Sequence, residues 1–72
     1  MQIIAETQHH KIKRYGNGNY LISTGIGDND NGKLVQGDKA RELEAELNAL
    51  FAITIYKNIL DPMIDRVCKQ YV

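Results

Sequence analysis

The sequence predicts a small α+β fold: a three- or four-stranded antiparallel β-meander, then a long α-helix and a short C-terminal α-helix. Three observations support this prediction. Short apolar-polar alternations before position 37 are separated by Gly and Asn, which is typical of strands and turns. No glycine follows Gly37, and the apolar residues there recur at helical spacing. The single proline, Pro62, then interrupts the helical pattern.

The 72 residues leave room for one domain, residues 1–72, in which we expect the meander over 1–36 and helices over 38–60 and 61–71. A chain this small buries a modest core and gains much from a metal, disulfides or a partner. Cys68 is the only cysteine, so no internal disulfide is expected, and a small buried apolar residue is the favoured interpretation. The start lacks the pattern of a signal peptide, and no apolar stretch reaches the roughly 18 to 20 residues that span a bilayer. We therefore expect a cytoplasmic protein.

Three or four short strands make up the predicted meander. The turn between the second and third strands is Gly16–Asn19, because Gly and Asn tolerate a positive φ. A second turn is predicted over Gly27–Gly32. On the third strand, alternate residues face opposite sides of the sheet. The predicted strands cover residues 1–5, 11–15, 20–26 and 33–36.

The second half is predicted to be helical from Asp38, whose carboxylate is expected to cap the helix. Asp61 is expected to cap the last helix, with Pro62 at its first position. Residues Phe51–Tyr56 are rich in β-branched and aromatic side chains, so a strand is the alternative there. An apolar stripe at helical spacing is expected to pack on the sheet: Ala40, Leu43, Leu47, Leu50, Phe51, Ile55 and Ile59.

The stretch Leu47–Tyr56 contains ten consecutive residues without a charge. A helix through it would be apolar on two sides, and a chain of this size cannot cover both. We therefore predict a homodimer or an interface with another protein. The residues expected to form this interface are Ala49, Ile53, Tyr56, Leu60, Met63 and Ile64.

The basic segment His9–Arg14 favours a different interpretation, a small regulator that binds nucleic acid. Lys11, Lys13 and Arg14 would neutralise phosphates, and Tyr15 would stack on a base. The formal net charge is zero, which does not favour binding by charge alone. The plainer alternative is a set of charges on a solvated face of the sheet.

No pattern in the sequence indicates catalysis, a metal or a cofactor. Adjacent residues in a strand point to opposite faces, so His9 and His10 are poorly placed for one metal ion. The turn Gly27–Gly32 lacks the spacing of a calcium loop. Carboxylates of the helix, Glu42, Glu44 and Glu46, are expected to be solvated. We therefore predict a protein that is not an enzyme and holds no cofactor.

Residues Tyr20–Leu47 resemble small accessory proteins encoded by phages and prophages, over less than half of the chain. A short strand pair is followed there by Gly37-Asp38-Lys39-Ala40 opening a helix, then by Glu42-Leu43 and Glu46-Leu47. The resemblance implies a protein that binds and inhibits or modulates a host protein, including components of host defence. It carries no functional residue over to this chain.

Overall fold

Four antiparallel strands form one sheet with two helices on one face, which confirms the predicted α+β fold. The computed structural model describes residues 1–24 and 32–72. The strands neighbour one another in chain order: β1 (Gln2–Glu6), β2 (His10–Arg14), β3 (Tyr20–Thr24) and β4 (Gly32–Val35). The helices are α1 (Asp38–Ile53) and α2 (Lys57–Tyr71). No helix in the described ranges is both long and apolar enough to cross a membrane.

The turn between β2 and β3 forms where glycine and asparagine predicted it. The Tyr15 N–H donates to the Asn19 carbonyl at 2.9 Å, and the Gly18 N–H donates to the Tyr15 carbonyl at 3.1 Å. Gly18 has a φ of 87°, which an L side chain rarely adopts. The loop is therefore a three-residue hairpin closed by a left-handed glycine. The second predicted turn, Gly27–Gly32, lies outside the described residues except for Gly32.

The core lies between the sheet and the two helices. Ile12 and Ile22 are cross-strand neighbours on the two central strands, and both are fully buried. Leu43 and Leu47 of α1 pack in the same cluster, and Cys68 of α2 is fully buried, as predicted for a small apolar residue. The other buried members of the cluster are Ala5, Tyr20, Val35, Ala40, Ile64 and Val67.

The centre of the opposite sheet face is also buried, so a fully solvated face is the wrong interpretation. Leu21 and Ser23 of β3 are 8% and 3% exposed, and Lys13 of β2 is 6% exposed. Lys13 pairs with Ile3 on one side and Leu21 on the other, so its aliphatic stem lies between apolar neighbours.

The break between the helices lies at residues 54–56 and not at Asp61-Pro62, so the predicted helices over 38–60 and 61–71 have the wrong boundary. Pro62 lies inside α2, as its sixth residue. The proline removes an amide donor to the Asn58 carbonyl, but both Asn58 and Pro62 are exposed, so water can satisfy that carbonyl. Asp61 is therefore not a cap.

Asp38 is not the cap of α1 either. Gly37 occupies that position with a φ of 67° and makes no side-chain cap hydrogen bond. Asp38 is the first helical residue, and its Oδ1 accepts a hydrogen bond from Arg41 Nη1 at 3.0 Å. Its negative charge still lies in the first turn, where it interacts favourably with the positive end of the helix dipole.

Candidate functional site

The corner between α1 and α2 is created by a run of β-branched residues, Ile53-Thr54-Ile55. Such residues lose side-chain freedom in a helix. Thr54 leaves the helix with an extended backbone, and its Oγ1 accepts a hydrogen bond from the Tyr56 N–H at 3.1 Å. A threonine that bonds the backbone in this way competes with helical hydrogen bonding. The chain therefore turns here, and α2 begins at Lys57.

Five large apolar side chains at this turn are exposed, and together they form what we call the apolar corner: Phe51, Ile53, Ile55, Tyr56 and Ile59. Their exposed fractions are 36%, 66%, 87%, 66% and 49%. With about 200 Å² for each large side chain, these fractions correspond to roughly 600 Å² of accessible surface. This total is spread over more than one face, because Phe51 and Ile53 are about 200° apart around α1; contiguous apolar patches of about 300–600 Å² often mark binding sites.

A shallow cleft of about 240 Å³ runs between β1 and the apolar corner. Ile4, Phe51, Ile55 and Leu60 supply its apolar walls. Lys57 and the acidic side chains of Glu6 and Asp61 lie at its edge. An apolar centre with a charged rim is the usual anatomy of a protein interface.

A buried polar cluster of Thr7, His10 and Asp65 fixes α2 beside the β1–β2 connection. Asp65 Oδ1 accepts hydrogen bonds from Thr7 Oγ1 at 2.5 Å and from His10 Nδ1 at 2.8 Å. Thr7 Oγ1 in turn accepts the backbone N–H groups of His9 at 3.0 Å and His10 at 2.9 Å. The connection between β1 and β2 and the middle of α2 are thereby joined.

The same cluster sets the pKa of Asp65. Burial alone would raise the pKa of this carboxyl, but the hydrogen bonds from Thr7 and His10, together with the charges of His10 and His9, hold it below its usual range. Asp65 is therefore a carboxylate at neutral pH and can accept both hydrogen bonds.

Lys57 makes a second connection between the first turn of α2 and the sheet. Its Nζ donates to the Glu6 backbone carbonyl at 2.8 Å and lies 2.9 Å from Asp61 Oδ2. The Lys57 ammonium group and the Thr7–His10–Asp65 cluster therefore fix the position of the apolar corner relative to β1.

The structure brings together part of the predicted interface. Ala49, Ile53 and Tyr56 are exposed near the end of α1. Leu60 packs against the core and Met63 is half-buried, while Ile64 is 2% exposed and belongs to the core of its own chain. Ile64 was therefore wrongly assigned to a partner surface, because α2 begins four residues earlier than predicted.

Phe51, Ile55 and Ile59 were expected in the core and instead form much of the apolar corner. Their stripe matches α1 only while the helix continues, and α1 ends at Ile53. The β-branched run that ends the helix was visible in the sequence as the strand alternative over residues 51–56.

The predicted nucleic-acid segment presents little of its charge to solvent. Lys13 is buried, and the side chain of Lys11 is 12% exposed with its Nζ 3.5 Å from Glu6 Oε2. Tyr15 is half-buried, and Arg14 alone of the three predicted cations is exposed. Phosphate neutralisation depends on accessible cations, so this geometry weighs against that alternative.

The hydroxyl beside His10 and Asp65 is that of Thr7, which is buried and donates to Asp65 Oδ1. Cys68 is fully buried, and its burial and the nearby Asp65 charge raise the pKa of its thiol to about 12. The described residues also include no group of three His, Cys, Asp or Glu side chains that could hold a metal ion.

Comparison with protein-family models, curated proteins and solved structures gives no match. The function is therefore inferred from the geometry of the described residues.

Proposed function

We propose that the protein is a non-enzymatic interaction protein that forms a homodimer through the apolar corner and, as a dimer, binds and modulates another protein. The exposure of Phe51, Ile53, Ile55, Tyr56 and Ile59 at one turn supports the proposal. The second part, a host protein as the target, rests on the resemblance of residues 20–47 to phage accessory proteins.

The size of the corner fits a dimer contact. A standard interface buries about 800 Å² on each partner. The apolar corner exposes roughly 600 Å² in total, using about 200 Å² for each large side chain, and the part on one face contributes to this contact. Polar surface at the rim can supply the remainder.

The charges at the rim favour a second copy of the chain as the occupant. The same cleft holds the positive charge of Lys57, paired with Asp61 of its own chain, and the negative charge of Glu6, paired with Lys11. A two-fold axis brings each surface against itself, so a rim with both signs can pair with its own copy. A rim of one sign would repel itself.

Sedimentation over a range of concentrations tests the proposal. We expect the wild-type chain to dimerise and Ile55→Asp to weaken the dimer strongly, because a charge would be buried at the contact. Ala45→Asp is the matched control, since it adds the same charge at an exposed position of α1 outside the corner. A wild-type chain that stays monomeric would contradict the proposal. So would a dimer of the Ala45→Asp control that is as weak as the dimer of Ile55→Asp.

Retention on a nucleic-acid column distinguishes the nucleic-acid alternative from the dimer proposal. A regulator of that kind would bind a nucleic-acid column at low salt and lose affinity steeply as salt rises. Because Lys11 and Lys13 present little charge, we expect no such retention. Retention that Arg14→Glu abolishes would favour the alternative.

A further inference from the structure

The corner is a short connection whose two helix ends have little local stabilisation. Only residues 54–56 separate α1 from α2. The described helix α1 has no basic residue in its last turn, and α2 has no acidic residue in its first turn. Tyr56, the N-cap of α2, makes no side-chain cap hydrogen bond. Caps and complementary charges normally stabilise such ends. If the corner becomes helical, it loses the hydrogen bond from the Tyr56 N–H to Thr54 Oγ1 and places three β-branched residues in a helix.

The apolar pattern of the sequence continues through the corner as if the helix did not end. Phe51, Ile55 and Ile59 are spaced four residues apart, so in an uninterrupted helix they would lie on one face. At about 100° per residue, that face lies beside the stripe of Leu43 and Leu47, which are buried against the sheet, and turns progressively away from it. In the observed corner Phe51, Ile55 and Ile59 are 36%, 87% and 49% exposed.

We propose that the homodimer forms by exchange of α2 between two copies: residues 54–56 become helical, and α1 and α2 join into one helix over residues 38–71. This inference rests on the proposed function, since it specifies how the second copy binds. The exchanged α2 packs on the other copy's sheet through the same contacts, including Asp65 with Thr7 and Lys57 with Glu6. Exchange of an identical element keeps every core contact, so it is a low-cost route to a dimer.

The joined helices are self-complementary around a two-fold axis at Ile55. In an antiparallel pair centred there, Ile55 lies opposite its own copy, and Phe51 of one chain lies opposite Ile59 of the other. The three exposed side chains thus cover one another. A helix of this length extends for about 50 Å. Pro62 adds no new penalty, because α2 already contains it in the observed state.

Two substitutions at one position test the exchange. Tyr56 has a φ of −78°, close to the value that proline requires, so Tyr56→Pro can keep the observed backbone, although it removes the N–H that donates to Thr54 Oγ1. Proline prevents a continuous helix through residue 56, whereas alanine favours one. Both variants remove the same aromatic side chain, so Tyr56→Ala is the matched control. We expect Tyr56→Pro to weaken the dimer by more than about a hundredfold relative to Tyr56→Ala.

The backbone chemical shifts of residues 54–56 give a second measurement. We expect helical shifts in the dimers of the wild type and Tyr56→Ala, and extended shifts in the Tyr56→Pro monomer. Inserting two glycines after Ile55 provides a variant that does not depend on proline. It lengthens the connection without removing a side chain, and we expect it to favour the monomer.

The other outcomes overturn the exchange in distinguishable ways. Dimers of both Tyr56 variants with extended shifts at residues 54–56 mean that the corner packs as it stands, which leaves the proposed function intact. Loss of the dimer in both variants means that the Tyr56 side chain is the contact. A monomeric wild-type chain refutes both proposals.

Discussion

Ile55→Ala should separate the stability of the folded chain from the stability of the dimer. Ile55 is 87% exposed, so little of its side chain is buried within its own chain. The change removes three carbon groups at about 0.8 kcal/mol each when fully buried, or about 2.4 kcal/mol. With 13% of the residue covered, the expected loss in the free energy of unfolding is about 0.3 kcal/mol, within the range of surface substitutions.

The dimer should respond much more strongly. Each of the two copies loses the burial of the remaining surface, so the upper value is about 4 kcal/mol per dimer. That corresponds to a Kd about a thousandfold higher.

Sedimentation equilibrium measures the Kd, and thermal unfolding at a concentration where the monomer prevails measures the stability of the chain. Ile3→Ala is the matched control, because Ile3 is 54% exposed on β1 and lies outside the apolar corner. A Kd for Ile55→Ala that stays within threefold of the wild type would refute the reasoning. So would an equal effect of Ile3→Ala.

Three further predictions concern the rest of the chain. The folded-state pKa of Asp65 is lowered, so its contribution to stability is present above about pH 4 and is lost as the pH falls through the folded pKa. Chemical denaturation at several pH values should show that Asp65→Asn loses less free energy of unfolding in acid than the wild type. An unchanged pH profile would exclude this role. Cys68, with its thiol pKa raised to about 12, should react with a thiol reagent at pH 8 only after unfolding, and rapid labelling of the native chain would contradict its burial. Gly32→Ala should destabilise the β3–β4 pairing, because an added Cβ meets the Ile22 backbone carbonyl. Amide hydrogen exchange at Ile22 should then become faster. An unchanged exchange rate would show that β4 shifts to accommodate the added Cβ.

The strands and turn could be predicted because the signals there are local. Gly16–Asn19 supplies residues that tolerate positive φ, and the alternation of β3 fixes which side chains face the helices. The burial of Lys13 could not be predicted in the same way. It depends on register, which places Ile3 and Leu21 beside it, and register is a property of three strands together.

The candidate site was predicted in part. The uncharged stretch Leu47–Tyr56 correctly drew attention to the surface where apolar side chains are exposed. The wrong assignments of Phe51, Ile55 and Ile64 have one cause, the position of the helix end. Pro62 looked like the stronger interruption, but α2 tolerates it on an exposed face while Thr54 ends α1 through a side-chain hydrogen bond.

The Thr7–His10–Asp65 cluster was not predicted, because His10 and Asp65 are 55 positions apart in the chain. The sequence showed His10 only as part of an adjacent histidine pair. No local pattern indicates that a carboxylate of the last helix accepts its hydrogen bond.

The hydrogen bond from Lys57 to the Glu6 carbonyl also covers part of the exposed edge of the sheet. β1 is an edge strand, and edge strands with free backbone groups can recruit strands of other molecules into aggregates. A register shift between Ile3 and Ala5 makes this edge irregular, and Lys57 covers its last carbonyl with an ammonium group. Any event that withdraws the start of α2 uncovers that carbonyl. While α2 is withdrawn in a concentrated solution, the uncovered edge of β1 can pair with strands of other chains and form fibrils. Rapid return of α2 to a sheet prevents this pairing.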